Sequence, residues 1–303
     1  MIKPTTAEDV RVAVATALSS GGIDSSQSEI AFFGGSFTAV DREYMISLLQ
    51  AANEYIDEFK GIRISTRPDC IDEEILTVLK AYNVTSIELG AQSMSDKVLE
   101  LNTRGHNSDC VRKASSLIKS FGFSLGLQMM TGLYGSSEEL DLYTADEFIK
   151  LCPQTVRIYP TVVLEGTKLA EYFLSGVYTP HTTDSAVKLC SKLIPMFENS
   201  GIKVIRVGLH SSDTMENSII AGAYHPAFRE LCDNTMFFDR IIESINNNHI
   251  ARGEIVIKVS PKSVSKVIGQ KKKNLIVLEE MGYKPSVVSD NSLSQRQIIV
   301  QEG

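Results

Sequence analysis

Strand-like and helical segments alternate along this chain for about 200 residues, and that alternation restricts the fold more than any other feature. Apolar runs with strand character lie near residues 29–33, 61–65, 84–89, 122–130, 155–162 and 203–208. Helical patterns separate them, near 41–58, 71–81, 94–101, 109–120, 137–151 and 182–200. A helix over 6–20 comes first, with Thr6 placed to cap it and Asp9 three positions on. Each strand followed by a helix and then another strand is a βαβ unit, and a series of them builds a parallel sheet. An open doubly wound sheet and a full or partial barrel both fit this rhythm.

In either architecture a ligand sits at the carboxyl ends of the strands. The first run, Ile30 to Phe33, reads as a core strand and ends in Gly34-Gly35-Ser36. Paired glycines there let backbone N–H groups approach a ligand, because no side chain stands in the way. The later strand ends are Ser65-Thr66-Arg67-Pro68-Asp69, Glu88-Leu89-Gly90-Ala91-Gln92-Ser93, Gln128 to Gly135 (Gln-Met-Met-Thr-Gly-Leu-Tyr-Gly) and Tyr159-Pro160-Thr161. Glycines, amides and an arginine thus converge on one rim, which suits a polar ligand carrying an amino acid and a ribose.

Taken in order with Asn102-Thr103-Arg104-Gly105-His106, these segments resemble the core of the radical S-adenosylmethionine (SAM) superfamily. Within it they look most like the Elongator catalytic subunits, and more distantly like oxygen-independent coproporphyrinogen oxidases. The resemblance runs over about residues 28–230, with Arg157 to Tyr178 supporting the Elongator-like branch. It implies an α/β fold, a partial parallel (β/α) barrel whose first strand is missing. It implies that Gly34, Gly35 and Ser36 hold the SAM amino group and that Ser65 and Arg67 stand at the next strand end. It also implies that Gln92, Arg104 and Gln128 contact the SAM ribose and carboxylate. Ser65 and Gln128 stand where acids are common in the coproporphyrinogen oxidase-like branch.

The family also implies a 4Fe–4S cluster on a CxxxCxxC loop, where three thiolates bind iron and SAM completes the site. Its electron cleaves SAM to a 5′-deoxyadenosyl radical. The five cysteines here, Cys70, Cys110, Cys152, Cys190 and Cys232, lie 38 to 42 residues apart and form no such motif. The chain is therefore expected to lack the cluster ligands and to be inactive as it stands. A truncated copy and a degenerate paralogue are both open, and the intact SAM-side residues favour truncation. Their dispersal also argues against a disulfide framework.

A second region is expected after residue 212, dividing the chain into 1–212 and 213–303. Residues 213–250 are polar, and a strand at Glu254 to Val259, two short helices around Gly269 and a strand at Gln297 to Gln301 make a small α+β unit. Ser263 to Leu275 resembles the helix–GxxG–helix core of a KH module, with Gly269 at the first glycine and Lys272 in place of the second. Lys266, Lys271, Lys272 and Lys273 are candidate RNA-binding residues, since lysines on flexible stems suit phosphate. Nothing after residue 230 has the length or strand content of the acetyltransferase domain that Elongator relatives carry, so acetyl-CoA chemistry is not expected.

A net charge of −7 gives no general pull toward nucleic acid, which leaves any RNA contact to this local basic cluster. No apolar run approaches a membrane span and no signal-peptide pattern opens the chain, so a cytoplasmic protein is expected. The leading reading is a radical SAM enzyme acting on RNA, tRNA in particular, with SAM as cofactor. A non-catalytic RNA- or nucleotide-binding protein on the same scaffold and a radical SAM enzyme for a small tetrapyrrole-like substrate are the alternatives. The oligomeric state is open.

Overall fold

A computed structural model describes residues 4–210 and 216–303. The domain boundary expected at residue 212 lies outside the described residues. The chain divides into two compact units, Met1–Tyr159 with Met196–Arg206, and Pro160–Pro195 with Val207–Gly303.

The first unit opens with α1 (Ala7–Ser19), whose N-terminus carries the expected capping box between Thr6 and Asp9. Then follow β1 (Glu29–Phe32), α2 (Arg42–Asn53), β2 (Gly61–Thr66), α3 (Glu73–Ala81), β3 (Val84–Gln92) and α4 (Asp96–Leu101). Next come α5 (Ser108–Ser120), β4 (Ser124–Thr131), α6 (Glu138–Leu151) and β5 (Thr155–Pro160). Six strands make one parallel half-barrel sheet in the order β1-β2-β3-β4-β5-β7, where β7 is Lys203–Val207. Sequential strands are neighbours, as βαβ units require.

Central strands carry near-continuous buried runs because helices and barrel interior cover both faces. Ile62, Ile64, Ile87, Leu89, Leu125, Leu127, Val156 and Ile158 are all buried. β1 differs. It pairs with β2 alone in this sheet, none of its residues is fully buried, and Phe33 just after it is 50% exposed. Ile30 to Phe33 is therefore an edge strand and not the core strand its apolar sequence implied.

α2 is also shorter than the 41–58 pattern. Asp41 caps it through the Tyr44 N–H at 3.0 Å, it ends at Asn53, and Ile56–Glu58 forms a separate 3-10 turn.

In the second unit, β6 (Val162–Leu164) follows α/β rhythm no longer and pairs antiparallel with β8 (Ile219–Gly222). The run expected over 155–162 thus breaks at Thr161 into strands of two different sheets. α7 (Lys168–Leu174) and α8 (Thr183–Asn199) follow β6, and α8 carries Pro195 internally. The polar stretch 213–250 contains α9 (Phe228–Asn247), a helix of 20 residues.

Then come β9 (Glu254–Val259), α10 (Val264–Ile268), α11 (Lys273–Glu280), β10 (Lys284–Ser289) and β11 (Ile298–Glu302). β9 is central, parallel to β10 and antiparallel to β11. Phe237, Ile241 and Ile245 of α9 share a core with Ile255, Ile257, Val259, Val267, Leu278 and Val300. A small α+β unit was expected here. No helix among the described residues is long and apolar enough to cross a membrane.

Candidate functional site

A cavity of about 450 Å³ opens at the carboxyl ends of the parallel strands. All eight residues picked out at the strand ends line it: Gly34, Gly35, Ser36, Ser65, Arg67, Gln92, Arg104 and Gln128.

The glycine turn forms one wall. Gly34 and Gly35 have φ of +103° and +142°, and no protein atom lies within 4 Å of where a Cβ would stand on either. A side chain there would project into open cavity. The turn is fixed at its far end by packing: Phe37 stacks on Phe32 with ring centroids 4.7 Å apart. Thr38 Oγ1 lies 2.7 Å from Thr66 Oγ1 and donates to the Cys70 carbonyl at 2.6 Å.

Two arginines face the cavity in different electrostatic states. Arg67 donates through Nε to Asp69 Oδ1 at 2.9 Å, and its Nη2 is paired with Asp69 Oδ2. That pairing raises the Arg67 pKa and lowers that of Asp69. Gly105 makes room for it, since a Cβ there would stand 2.7 Å from Arg67 Nη2. Arg104 has no carboxylate partner among the described residues; its Nη2 lies 3.3 Å from Met130 Sδ. Crowding by protein, and then the charge of Arg67, lower its pKa. Arg104 thus offers an uncompensated cation to an anionic ligand.

Gln92 ends β3 with φ +67°, where the pairing with β4 shifts register. Gly90 allows its side chain to fold back, because a Cβ at Gly90 would meet Gln92 Nε2 at 2.7 Å. His106 donates through Nε2 to the Ala91 carbonyl at 3.1 Å, which leaves Nδ1 buried with no partner among the described residues. Burial lowers its pKa, which favours the neutral ring.

Beneath the rim runs a charge network without an assigned role in the sequence reading. Glu88 is 1% exposed. Its Oε2 accepts from Arg157 Nε at 2.6 Å and Gln128 Nε2 at 3.1 Å, and its Oε1 from Arg157 Nη2 and Arg63 Nη1, each at 3.1 Å. Gln128 Nε2 also donates to Ser65 Oγ at 3.1 Å. Both amide hydrogens of Gln128 are therefore held within the protein, and its carbonyl oxygen is the atom left for a ligand. The Arg157 guanidinium lies over the Phe33 ring, 4.6 Å from its centroid. A glutamate set between Ile87 and Leu89 in a strand run was the visible signal for this network.

The cysteines do not fit an iron–sulfur cluster. None of the five forms a disulfide, Cys190 and Cys232 are buried, and no group of three or more metal-ligating side chains occurs among the described residues.

The lysine turn belongs to the second unit. Gly269 has φ +77°, and Lys271 and Lys272 are both left-handed at φ +51° and +61°. The turn thus adopts a glycine-like conformation where the second glycine of the motif is replaced by lysine. Lys271 and Lys272 are exposed. Lys273 is 3.9 Å from Asp184, both side chains largely exposed, an arrangement worth little in water. Lys266 differs from its neighbours: its Nζ sits 2.9 Å from Asp233 Oδ2, so its charge is already matched.

The model of the radical SAM superfamily matches residues 7–146, and that of the radical SAM C-terminal domain matches residues 153–237. The tRNA uridine(34) acetyltransferase of Methanocaldococcus infernus is 33% identical over 196 residues, which is 56% of this chain and 36% of that protein. Elongator complex protein 3 of Dictyostelium discoideum is 28% identical over 208 residues, 67% of this chain and 36% of that protein. The chain spans little more than a third of the length of either relative. Among solved structures, an N-terminally deleted Elp3 from M. infernus superposes with a TM-score of 0.65 at 25% identity, over 80% of this chain and 59% of that one.

Proposed function

The chain belongs to the radical SAM superfamily, in its Elongator-like branch, and we propose that the cavity at the strand ends binds S-adenosylmethionine in the service of tRNA modification. The observation that carries the cofactor reading is Arg104, a cation without a carboxylate partner in the same cavity as the open glycine turn. The backbone at Gly34 and Gly35 would receive the ligand's amino group, and Arg104 its carboxylate. Gln92 and the carbonyl oxygen of Gln128 would face the ribose hydroxyls. Glu88 acts behind them by fixing Gln128.

S-Adenosylmethionine supplies the adenosyl group on which this superfamily's radical chemistry is done. The thiols described here do not fit the cluster that would deliver an electron to it. What these residues do is bind the cofactor and orient it.

The tRNA reading is supported by the relatives, named as a tRNA uridine(34) acetyltransferase and as Elongator complex protein 3. Locally it is supported by the exposed, unmatched charges of Lys271 and Lys272, with Lys273 beside them. Lys266 belongs to the fold through Asp233 and contributes less.

Equilibrium binding of S-adenosylmethionine to wild type and Arg104→Gln tests the cofactor reading, with 5′-methylthioadenosine as the ligand that lacks the amino acid portion. Loss of a charge-assisted hydrogen bond should weaken S-adenosylmethionine by about tenfold or more and leave methylthioadenosine unchanged. Equal affinities of both proteins for S-adenosylmethionine would contradict it.

A further inference from the structure

The second unit holds a groove of about 840 Å³ between α8, α9 and the face of α11 beyond the lysine turn. Its floor is apolar, formed by Val187, Leu231, Phe238, Ile276 and Val277. Ile276 is 47% exposed, so an apolar side chain is presented at the groove surface. The rim is basic: Lys188, Lys271 and Lys273 line it, with Asp184 the one acid among its described lining residues. His225 also faces it, and its Nδ1 accepts from the Ala227 N–H at 3.1 Å, so the ring proton sits on Nε2 as a donor.

An apolar slot with cations along its edge, on a protein of net charge −7, matches an anionic ligand that carries a flat apolar face. A nucleotide has this character. Its phosphate needs the lysines, and its base needs a dry surface to lie against. The groove volume falls within the range that encloses small ligands, roughly 300–1,000 Å³. A base held in a duplex is stacked on its neighbours and cannot enter such a slot, whereas an unpaired base can.

We propose that this groove takes one unstacked nucleotide of a single-stranded RNA segment, base against Phe238 and Ile276, with the flanking phosphates on Lys271 and Lys273. This deepens the RNA reading above and rests on it. The lysine turn supplies charge-based affinity, and the groove supplies the preference for unpaired RNA.

The test uses the full chain and three labelled RNAs: a short single strand, its duplex with the complement, and the same strand with one abasic position. Anisotropy titrations are run on wild type, Ile276→Asn, and the triple change of Lys271, Lys272 and Lys273 to Ala. Ile276 is exposed, and a melting curve establishes that its variant folds. Wild type should prefer the single strand over the duplex by about tenfold, and the abasic site should cost roughly fivefold or more. Ile276→Asn adds no charge, so it should remove the preference and keep the salt dependence; the lysine change should weaken all three RNAs.

If wild type binds single strand, duplex and abasic strand alike, the groove proposal is overturned whatever the variants do. If in that case the lysine change still weakens binding, the RNA reading stands without the groove. If neither variant alters RNA affinity, both readings fall.

Discussion

Arg157 Nε lies 2.6 Å from Glu88 Oε2, an ion pair between β5 and β3 in which the glutamate is 1% exposed. Arg63 on β2 contacts the same carboxylate and also Glu29 on β1, at 2.6 Å through Nη2. One charge chain thus links β1, β2, β3 and β5 under the cavity floor, spanning β4 between the last two. Burying charges costs several kcal/mol per ion unless each is matched, so these side chains stand or fall together.

Glu88→Ala should destabilise the protein by about 3–5 kcal/mol, because two arginines are left without their shared acid. Urea denaturation measures the loss. Glu88→Gln keeps the shape and one acceptor and should cost less. Both changes should also weaken S-adenosylmethionine, since Gln128 loses a partner that fixes its amide. A Glu88→Ala protein as stable as wild type would show that the chain of charges is incidental.

Asp141 gives a pH signature. It is 1% exposed, and its carboxylate accepts from the Gly132 N–H at 2.8 Å and the Ser136 hydroxyl at 2.7 Å. Burial outweighs those bonds and raises its pKa from 3.8 to about 6. A carboxyl whose folded pKa lies above its unfolded value favours the fold most when protonated. Its contribution is full below about pH 3.8 and is lost as pH rises through about 6. Asp141→Asn does not titrate, so its stability deficit relative to wild type should be largest near the lower pH and shrink across that window. Paired melts at several pH values check this, and a constant deficit would contradict the assignment.

The lysine turn should act through charge alone. Replacing Lys271, Lys272 and Lys273 by Ala should weaken tRNA binding at low salt and flatten its salt dependence, because fewer counterions are released. Discrimination between tRNAs should change little. Lys266→Ala should affect stability more than tRNA affinity, since it removes one of the two cations paired with Asp233 among the described residues and leaves Arg229. Filter binding across a salt series reads both, and an unchanged slope in the triple variant would remove the turn from the RNA surface.

The sequence made the half-barrel legible because parallel strands bury both faces and therefore spell apolar runs, with capped helices between. It also named the residues that gather round the cavity, because strand-end position is a local property of a βα unit. α9 was not legible. Its apolar positions, Phe237, Ile241 and Ile245 among them, alternate with Asp233 and Asn234, which are buried too. Those polar residues are tolerated because groups distant in sequence satisfy them: Lys266 pairs with Asp233, and the Asn234 side-chain amide donates to the Lys266 carbonyl at 3.2 Å and accepts from the Gln270 N–H at 3.0 Å. The partners of Glu88 were hidden for the same reason. Its arginines come from strands 25 and 69 residues away, a pairing no local pattern contains.

The cofactor cavity rests on the glycine turn, and calorimetric titration of S-adenosylmethionine into wild type and Gly35→Val tests it most directly. Gly35 has φ +142° and faces open cavity, so a valine side chain would fill the space a ligand needs and would strain the turn. Circular dichroism separates loss of binding from loss of fold. The account predicts saturable binding by wild type and none by a folded Gly35→Val variant. Equal affinity in the two proteins would contradict it.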